Sequence, residues 1–104
     1  MRIPGAEIVA LFRRVLSGES VIFPDGISWD DVWAGNFHCH IDGYSVVIFN
    51  DCGECDYVDS ATAPDGRTGD FDSWYDGGDE PVAMLEMSEV AKMEDILENC
   101  GAAS

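Results

Sequence analysis

The dipeptide Asp42-Gly43 separates two apolar runs, and it restricts the fold more than any other feature of the sequence. Such a pair tolerates the positive φ angles of a two-residue turn, and that turn sets the register of the strands it joins. Residues 37–41 and 44–49 are therefore predicted to form an antiparallel hairpin. The register places Ile41 opposite Tyr44, Cys39 opposite Val46 and Phe37 opposite Ile48 on one face, with His40 opposite Ser45 and His38 opposite Val47 on the other.

A second tight turn at Gly53-Glu54 is predicted to return residues 55–61 as a third strand, with Cys52 opposite Cys55. The run 44–49 then becomes a central strand that is apolar on both faces, so helices or a second subunit should cover both. Asp59 does not fit this register, because it falls on the same face as Ile48. Either a β-bulge intervenes or the third strand ends early.

Apolar residues at helical spacing predict a helix near each end of the chain. The first has Pro4 in its first turn and Gly18 after its end, and its stripe is Ile8, Leu11, Phe12, Val15 and Leu16. The second begins at a Ser88 cap and ends at Gly101, with the stripe Val90, Met93, Ile96 or Leu97, and Cys100.

The remaining segments are predicted as a short strand at residues 21–23, a short helix from Ser28 to Trp33, a loop at 62–81 and a last strand at 82–85. The expected fold class is α+β, with a small antiparallel sheet of three to five strands packed against an N-terminal and a C-terminal helix. Residues 1–104 are expected to form a single domain with a frayed tail at 102–104.

The chain is strongly acidic, with 21 Asp or Glu against 5 Lys or Arg and a formal net charge of −16. Such a surface repels nucleic acids and anionic membranes and attracts basic proteins or cations. The N-terminus has no apolar core before its first acid, and no apolar run approaches the roughly 18 residues that cross a bilayer. We therefore expect a cytoplasmic protein with reduced thiols, no direct contact with nucleic acid and no membrane association.

Acids concentrate between residues 51 and 80, where Arg67 is the one base. A compact chain of this length is about 33 Å across. A DNA duplex of that length carries roughly 20 phosphates, the same order as the net charge. The predicted partner-binding residues are these acids and two aromatic residues among them: Asp51, Glu54, Asp56, Asp59, Asp65, Asp70, Asp72, Trp74, Tyr75, Asp76, Asp79 and Glu80.

A zinc site is suggested by the cysteines and histidines at positions 38, 39, 40, 52, 55 and 100, but the predicted hairpin opposes it. His38 and Cys39 point to opposite faces, and His38 lies roughly 17 Å along the sheet from Cys52. The acids around Cys52 and Cys55 favour protonated thiols, which argues against a redox pair. A hairpin disulfide between these two cysteines is left open.

A calcium loop over residues 70–76 fails because Trp74 and Tyr75 occupy the fifth and sixth positions. A weak, irregular cation site there stays open as an alternative. No nucleophile elbow and no phosphate-binding glycine loop is present, so no catalytic residue, metal or cofactor is predicted.

Three segments of the central region resemble a family of short acidic bacterial proteins of unknown function: residues 49–54, 56–61 and 63–67, followed by 71–74. The resemblance covers most of the chain and implies no activity, so no functional residue is carried over from it. It implies that Asp51, Asp56, Asp59 and Asp65 belong to a defined surface. In size and acidity the chain is also similar, at class level only, to phage anti-defence proteins such as anti-CRISPRs.

Together these features predict a non-enzymatic protein that mimics a nucleic acid backbone and inhibits a basic, nucleic-acid-binding partner, in the manner of an anti-CRISPR-type protein. One alternative is a small dimerising module with an apolar patch over Val47, Phe49 and Val58. Another, less favoured, is a cation- or zinc-binding domain. An enzyme would instead need a pocket with two converging carboxylates of unequal proton affinity.

Overall fold

The computed structural model describes residues 2–100, which form a five-stranded antiparallel sheet with strands in the order β1-β2-β3-β4-β5. The elements are α1 Gly5–Leu16, β1 Phe23–Pro24, α2 Trp29–Val32, β2 Ala34–Ile41, β3 Tyr44–Asp51, β4 Glu54–Thr62, β5 Thr68–Asp70, α3 Phe71–Gly77, α4 Pro81–Met84 and α5 Met87–Asn99. The predicted α+β fold, with a small antiparallel sheet and a helix from each end of the chain, is confirmed.

The β2–β3 hairpin has the predicted register in every pair from Phe37–Ile48 to Ile41–Tyr44. Asp42 has φ 51° and Gly43 has φ 84°, the positive angles that a two-residue hairpin turn requires. The face carrying Phe37 is buried, and the strands extend beyond the predicted ends to Ala34 and Asp51.

The β3–β4 turn is formed by Cys52 and Gly53, so the prediction of Gly53-Glu54 and of a Cys52–Cys55 pair is wrong by one residue. Cys55 lies opposite Asn50 instead. The buried Asn50 side chain selects this turn, because its Oδ1 accepts from the Gly53 N–H at 2.7 Å. Its Nδ2 donates to the Trp29 carbonyl at 2.8 Å, which fixes the side chain in place.

Two register shifts in β4 resolve the position of Asp59, and the bulge alternative is confirmed. Ser60 pairs with Val47 and Val58 with Ile48, so Asp59 is the extra residue of one bulge. Asp56 is the extra residue of the other. Because each bulge adds one residue, the buried positions of β4 recur every third residue at Cys55, Val58 and Ala61.

The core lies between the sheet and the helices α1 and α5. Ile8, Leu11, Phe12 and Val15 of α1 are buried as predicted, and Met93 and Leu97 are the buried residues of α5. Helix α5 begins one residue after Glu86, which forms a capping box with Glu89; the predicted Ser88 cap lies inside the first turn.

The predicted loop at 62–81 and the predicted strand at 82–85 are wrong, since this stretch holds β5, α3 and α4. Asp70 caps α3 by accepting from the Ser73 N–H at 2.9 Å. Glu80 caps α4, and Pro81 occupies its first turn, where a missing N–H is tolerated. The first strand also differs from the prediction of 21–23, because it consists of Phe23–Pro24.

Both edges of the sheet are short. The β1 edge is two residues long and includes Pro24, which has no N–H. At the β5 edge, the Ile3 N–H donates to the Thr68 carbonyl at 2.8 Å, and Arg2 forms a bridge with Thr68.

Within residues 2–100, no helix has the length and apolar character needed to cross a membrane. The predicted Gly101 stop and the tail at 102–104 lie outside the described residues.

Candidate partner-binding surface

The face of the sheet turned away from α1 and α5, here the outer face, keeps its side chains accessible. It carries the strand residues that alternate with the buried ones: Asn36, His38, His40, Ser45, Val47, Phe49, Tyr57 and Asp70. Val46 and Ile48 of β3 are fully buried, whereas Val47 and Phe49 are half-buried. The expectation that both faces of the central strand are covered therefore holds completely only for the inner face.

An aromatic row crosses the outer face from β3 to α3 and consists of Phe49, Tyr57, Phe71 and Tyr75. The ring centroids are 5.0 Å apart for Phe49 and Tyr57, 4.5 Å for Tyr57 and Phe71, and 5.5 Å for Phe71 and Tyr75. Tyr75 is 70% exposed at the end of the row. Accessible aromatic side chains of this kind are enriched among the residues that dominate protein interfaces.

Seven of the predicted acids are accessible on β3, β4, β5 and α3. Six are exposed and Asp59 is half-buried; this acidic set is Asp51, Glu54, Asp56, Asp59, Asp70, Asp72 and Asp76. Within residues 2–100 none of them forms an ion pair. Their negative charge is therefore left uncompensated beside an aromatic surface.

Trp74 and Glu80 do not belong to this surface, which corrects the prediction that both contact a partner. Trp74 is fully buried, and its indole Nε1 donates to the Ile3 carbonyl at 2.8 Å. Glu80 is 7% exposed, and its carboxylate accepts from the N–H groups of Val58, Val82 and Ala83 at 2.9 to 3.1 Å. Both side chains hold α3 and α4 against the sheet.

Asp65 and Asp79 are also engaged within the fold. Asp79 accepts from the Gly5 N–H at 2.9 Å and pairs with Arg2 at 2.8 Å, and the Gly5 bond is the main reason that its pKa is lowered. Asp65 pairs with Arg67 at 2.8 Å, and bonds from the Arg67 N–H and guanidinium lower its pKa. These two carboxylates are already bonded to donors of the chain itself.

The arginines form their ion pairs with carboxylates outside the acidic set. Every arginine contacts at least one carboxylate outside that set, in the pairs Arg2–Asp79, Arg13–Glu89, Arg14–Asp42 and Arg67–Glu7. Lys92 is exposed on α5 and forms no ion pair within residues 2–100. Arg2 approaches the set, because its Nε donates to the Ser73 hydroxyl of α3 at 2.6 Å, but within residues 2–100 no Lys or Arg forms an ion pair with a member of the acidic set.

Sequence reasoning missed the cluster of Glu7, Tyr44 and Arg67. Both terminal nitrogens of Arg67 lie 2.8 Å from the Glu7 carboxylate, and the Tyr44 hydroxyl donates to the same carboxylate. The Arg67 bond is the main cause of the lowered pKa of Glu7. The partners lie 37 and 60 residues from Glu7 in the chain, so no local pattern points to the cluster.

The cysteines and histidines do not gather into a site. His38 and His40 are exposed on the outer face, Cys39 and Cys55 are buried, and all four thiols are free. Burial raises the pKa of Cys39 and raises that of Cys55 to about 12, so neither supplies a thiolate near neutral pH. Within residues 2–100 no three His, Cys, Asp or Glu side chains are placed to hold a metal ion.

The chain belongs to the family described as a domain of unknown function (DUF7693), whose model matches residues 2–99. The resemblance to a family of unknown function is confirmed at that level. The family description assigns no activity and no site residue. Comparison with curated proteins and with solved structures finds no match.

Proposed function

We propose that this protein is a non-enzymatic binding protein whose outer face docks on a basic surface of another protein. The observation that carries the proposal is that acids with no ion pair within residues 2–100 meet the aromatic row, since Asp59, Asp70 and Asp72 line one depression together with Tyr57 and Phe71. Charge complementarity gives such a surface a fast encounter with a basic partner, and the aromatic side chains add contact area at the centre.

The finer proposal is that the partner is a nucleic-acid-binding protein and that the acidic set occupies the positions of phosphates. The chain measures 35 × 27 × 25 Å. The seven carboxylates amount to about a third of the roughly 20 phosphates on a duplex of that length. The surface therefore suits part of a binding groove, which is enough to inhibit by competition. An anti-defence role in the bacterial cytoplasm, as for anti-CRISPR-type proteins, is one such function.

A direct test measures binding of fluorescein-labelled octa-arginine by anisotropy. The site variant is Asp72→Lys/Asp76→Lys on α3, and the matched control is Asp95→Lys/Glu98→Lys on the exposed side of α5. Both variants change the net charge equally. We expect the site variant to weaken binding about tenfold, equivalent to about 1.4 kcal/mol, and the control to weaken it by less than about threefold. Equal losses in the two variants would reject a localised surface.

Salt dependence and competition extend this test. Affinity should fall steeply with added salt, because the Debye length shrinks from about 10 Å at 0.1 M to about 3 Å at 1 M. Under the mimicry proposal, the protein should also displace a short DNA duplex from the same peptide in proportion to its affinity. Binding without displacement would reject mimicry and leave the more general proposal of a basic partner.

A dimerising module is the second candidate, and exposed apolar side chains favour it. Phe23 is 62% exposed opposite His40, and Val47 is half-buried on the same face. Val58 is buried in the core and drops out of the predicted patch. Sedimentation equilibrium decides between the candidates: a dimer lost in a Phe23→Ser/Val47→Ser variant would favour self-association, whereas a monomer supports binding of a different partner.

A further inference from the structure

A shallow depression of about 320 Å³ lies where the aromatic row meets the acidic set. Tyr57, Asp59, Ser60, Asp70, Phe71 and Asp72 line it. The rings of Tyr57 and Phe71 stand 4.5 Å apart with their planes inclined at 48°. A side chain that enters the depression therefore meets aromatic carbon and carboxylate oxygen together.

The backbone explains why these groups converge. Asp59 is the extra residue of a β4 bulge, and its neighbour Ser60 pairs with Asp70 across the β4–β5 ladder. Helix α3 begins directly after Asp70, so Phe71 and Asp72 follow in its first turn. The Asp70 carboxylate is held by the Ser73 N–H at 2.9 Å. The depression is thus built on a strand ladder and a capped helix.

The chemistry of the lining discriminates between cations. A guanidinium is planar, stacks on aromatic rings and presents a fork of N–H donors that matches carboxylates. An ammonium group is a compact, strongly hydrated point charge that makes less use of ring carbon. A metal ion is disfavoured, because within residues 2–100 the carboxylates are not placed to share one ion.

We propose that this depression receives an arginine side chain of the partner, so that the outer face selects arginine-rich over lysine-rich surfaces. The inference rests on the proposed function and adds the identity of the recognised side chain. The guanidinium contacts the rings of Tyr57 and Phe71 while its N–H groups donate to the surrounding carboxylates.

The test compares octa-arginine with octa-lysine at equal charge. We expect the wild-type protein to bind octa-arginine about tenfold more tightly than octa-lysine, which corresponds to about 1.4 kcal/mol, because the guanidinium also contacts the aromatic rings. Tyr57→Leu/Phe71→Leu should lose most of this preference while keeping its affinity for octa-lysine. Phe23→Leu, an exposed aromatic residue of β1 that does not line the depression, should keep the preference.

A measurement on the unaltered protein guards against variants that fail to fold. N-acetyl-arginine amide should shift the backbone NMR signals of residues 57–60 and 70–72, whereas N-acetyl-lysine amide should shift them less. Equal affinity for the two peptides, with the salt dependence intact, would overturn the arginine inference alone. Absence of binding to both peptides at low salt would overturn the proposed function as well.

Discussion

The two faces of the sheet are built from alternate residues of the same strands, yet they have different chemistry. The inner face holds Phe37, Ile41, Val46 and Ile48 at 0% exposure under α1 and α5. The outer face carries histidines, an aromatic row and uncompensated acids. Burial of the inner face supplies most of the hydrophobic stabilisation, so packing constrains the composition of the outer face less strongly. The comparison separates residues that maintain the fold from residues available to a partner.

The largest expected effect is a difference in the free energy of unfolding between variants of two adjacent aromatic residues of α3. Trp74→Ala should lower the free energy of unfolding by about 3–5 kcal/mol, because it removes a fully buried side chain and leaves a cavity. Tyr75→Ala, at 70% exposure, should cost less than about 1 kcal/mol. Urea denaturation of both variants measures the difference. A Tyr75→Ala cost close to that of Trp74→Ala would show that the outer face is part of the packing.

A smaller difference in the free energy of unfolding is expected between variants of two acids of the predicted site. Glu80→Gln should lower the free energy of unfolding by about 2 kcal/mol, because the amide nitrogen cannot accept the backbone N–H groups that now bond to the carboxylate. Asp76→Asn should leave stability unchanged or raise it slightly, because it removes one unpaired charge from a repulsive set. Thermal unfolding of the two variants measures the difference. A destabilised Asp76→Asn variant would contradict the assignment of Glu80 to the fold and of Asp76 to the accessible surface.

The smallest effect concerns pH and the Glu7 cluster. The pKa of Glu7 is lowered from 4.5, chiefly by Arg67, so the folded state binds fewer protons there than the unfolded chain. The stability it contributes is present above pH 4.5 and is lost as pH falls through the lowered value. Glu7→Gln should therefore cost about 1 kcal/mol at neutral pH and flatten the acid slope. Asp72→Asn is the matched control, and an equal change in slope would be the contrary result.

The strand pairing was predictable wherever a local signal and a buried face agreed. Asp42-Gly43 specifies both the turn and the alternation of the β2–β3 hairpin. The next turn was misplaced because Asn50, through its bonds to Gly53 and to Trp29, favours Cys52 at φ 53°. The bond to Trp29 joins β3 to α2 across 21 residues, which no short window of sequence contains. Two local signals are present: Cys52-Gly53 places a glycine at the second turn position, as Asp42-Gly43 does, and Asn50 lies three residues before Gly53.

The residue types of the candidate site were predictable from the sequence. Which of those residues are exposed and which are buried was not. The density of acids after residue 50 was visible, and so were the aromatic residues among them. The sequence pattern does not show that Glu80 and Trp74 turn inward, because it predicts a loop and a strand where α3 and α4 form. Two local signals were present: Asp70 three residues before Ser73, and Glu80 directly before Pro81, both typical of helix starts.

The short edges of the sheet determine how a second molecule can approach. Strand addition needs a row of free backbone donors and acceptors, and β1 offers two residues, one of them a proline. At the far side, residues 2–3 already occupy β5. Extension of the ladder along β1 and along β5 is therefore disfavoured. The short edges therefore favour recognition through contacts made flat against the pleated surface.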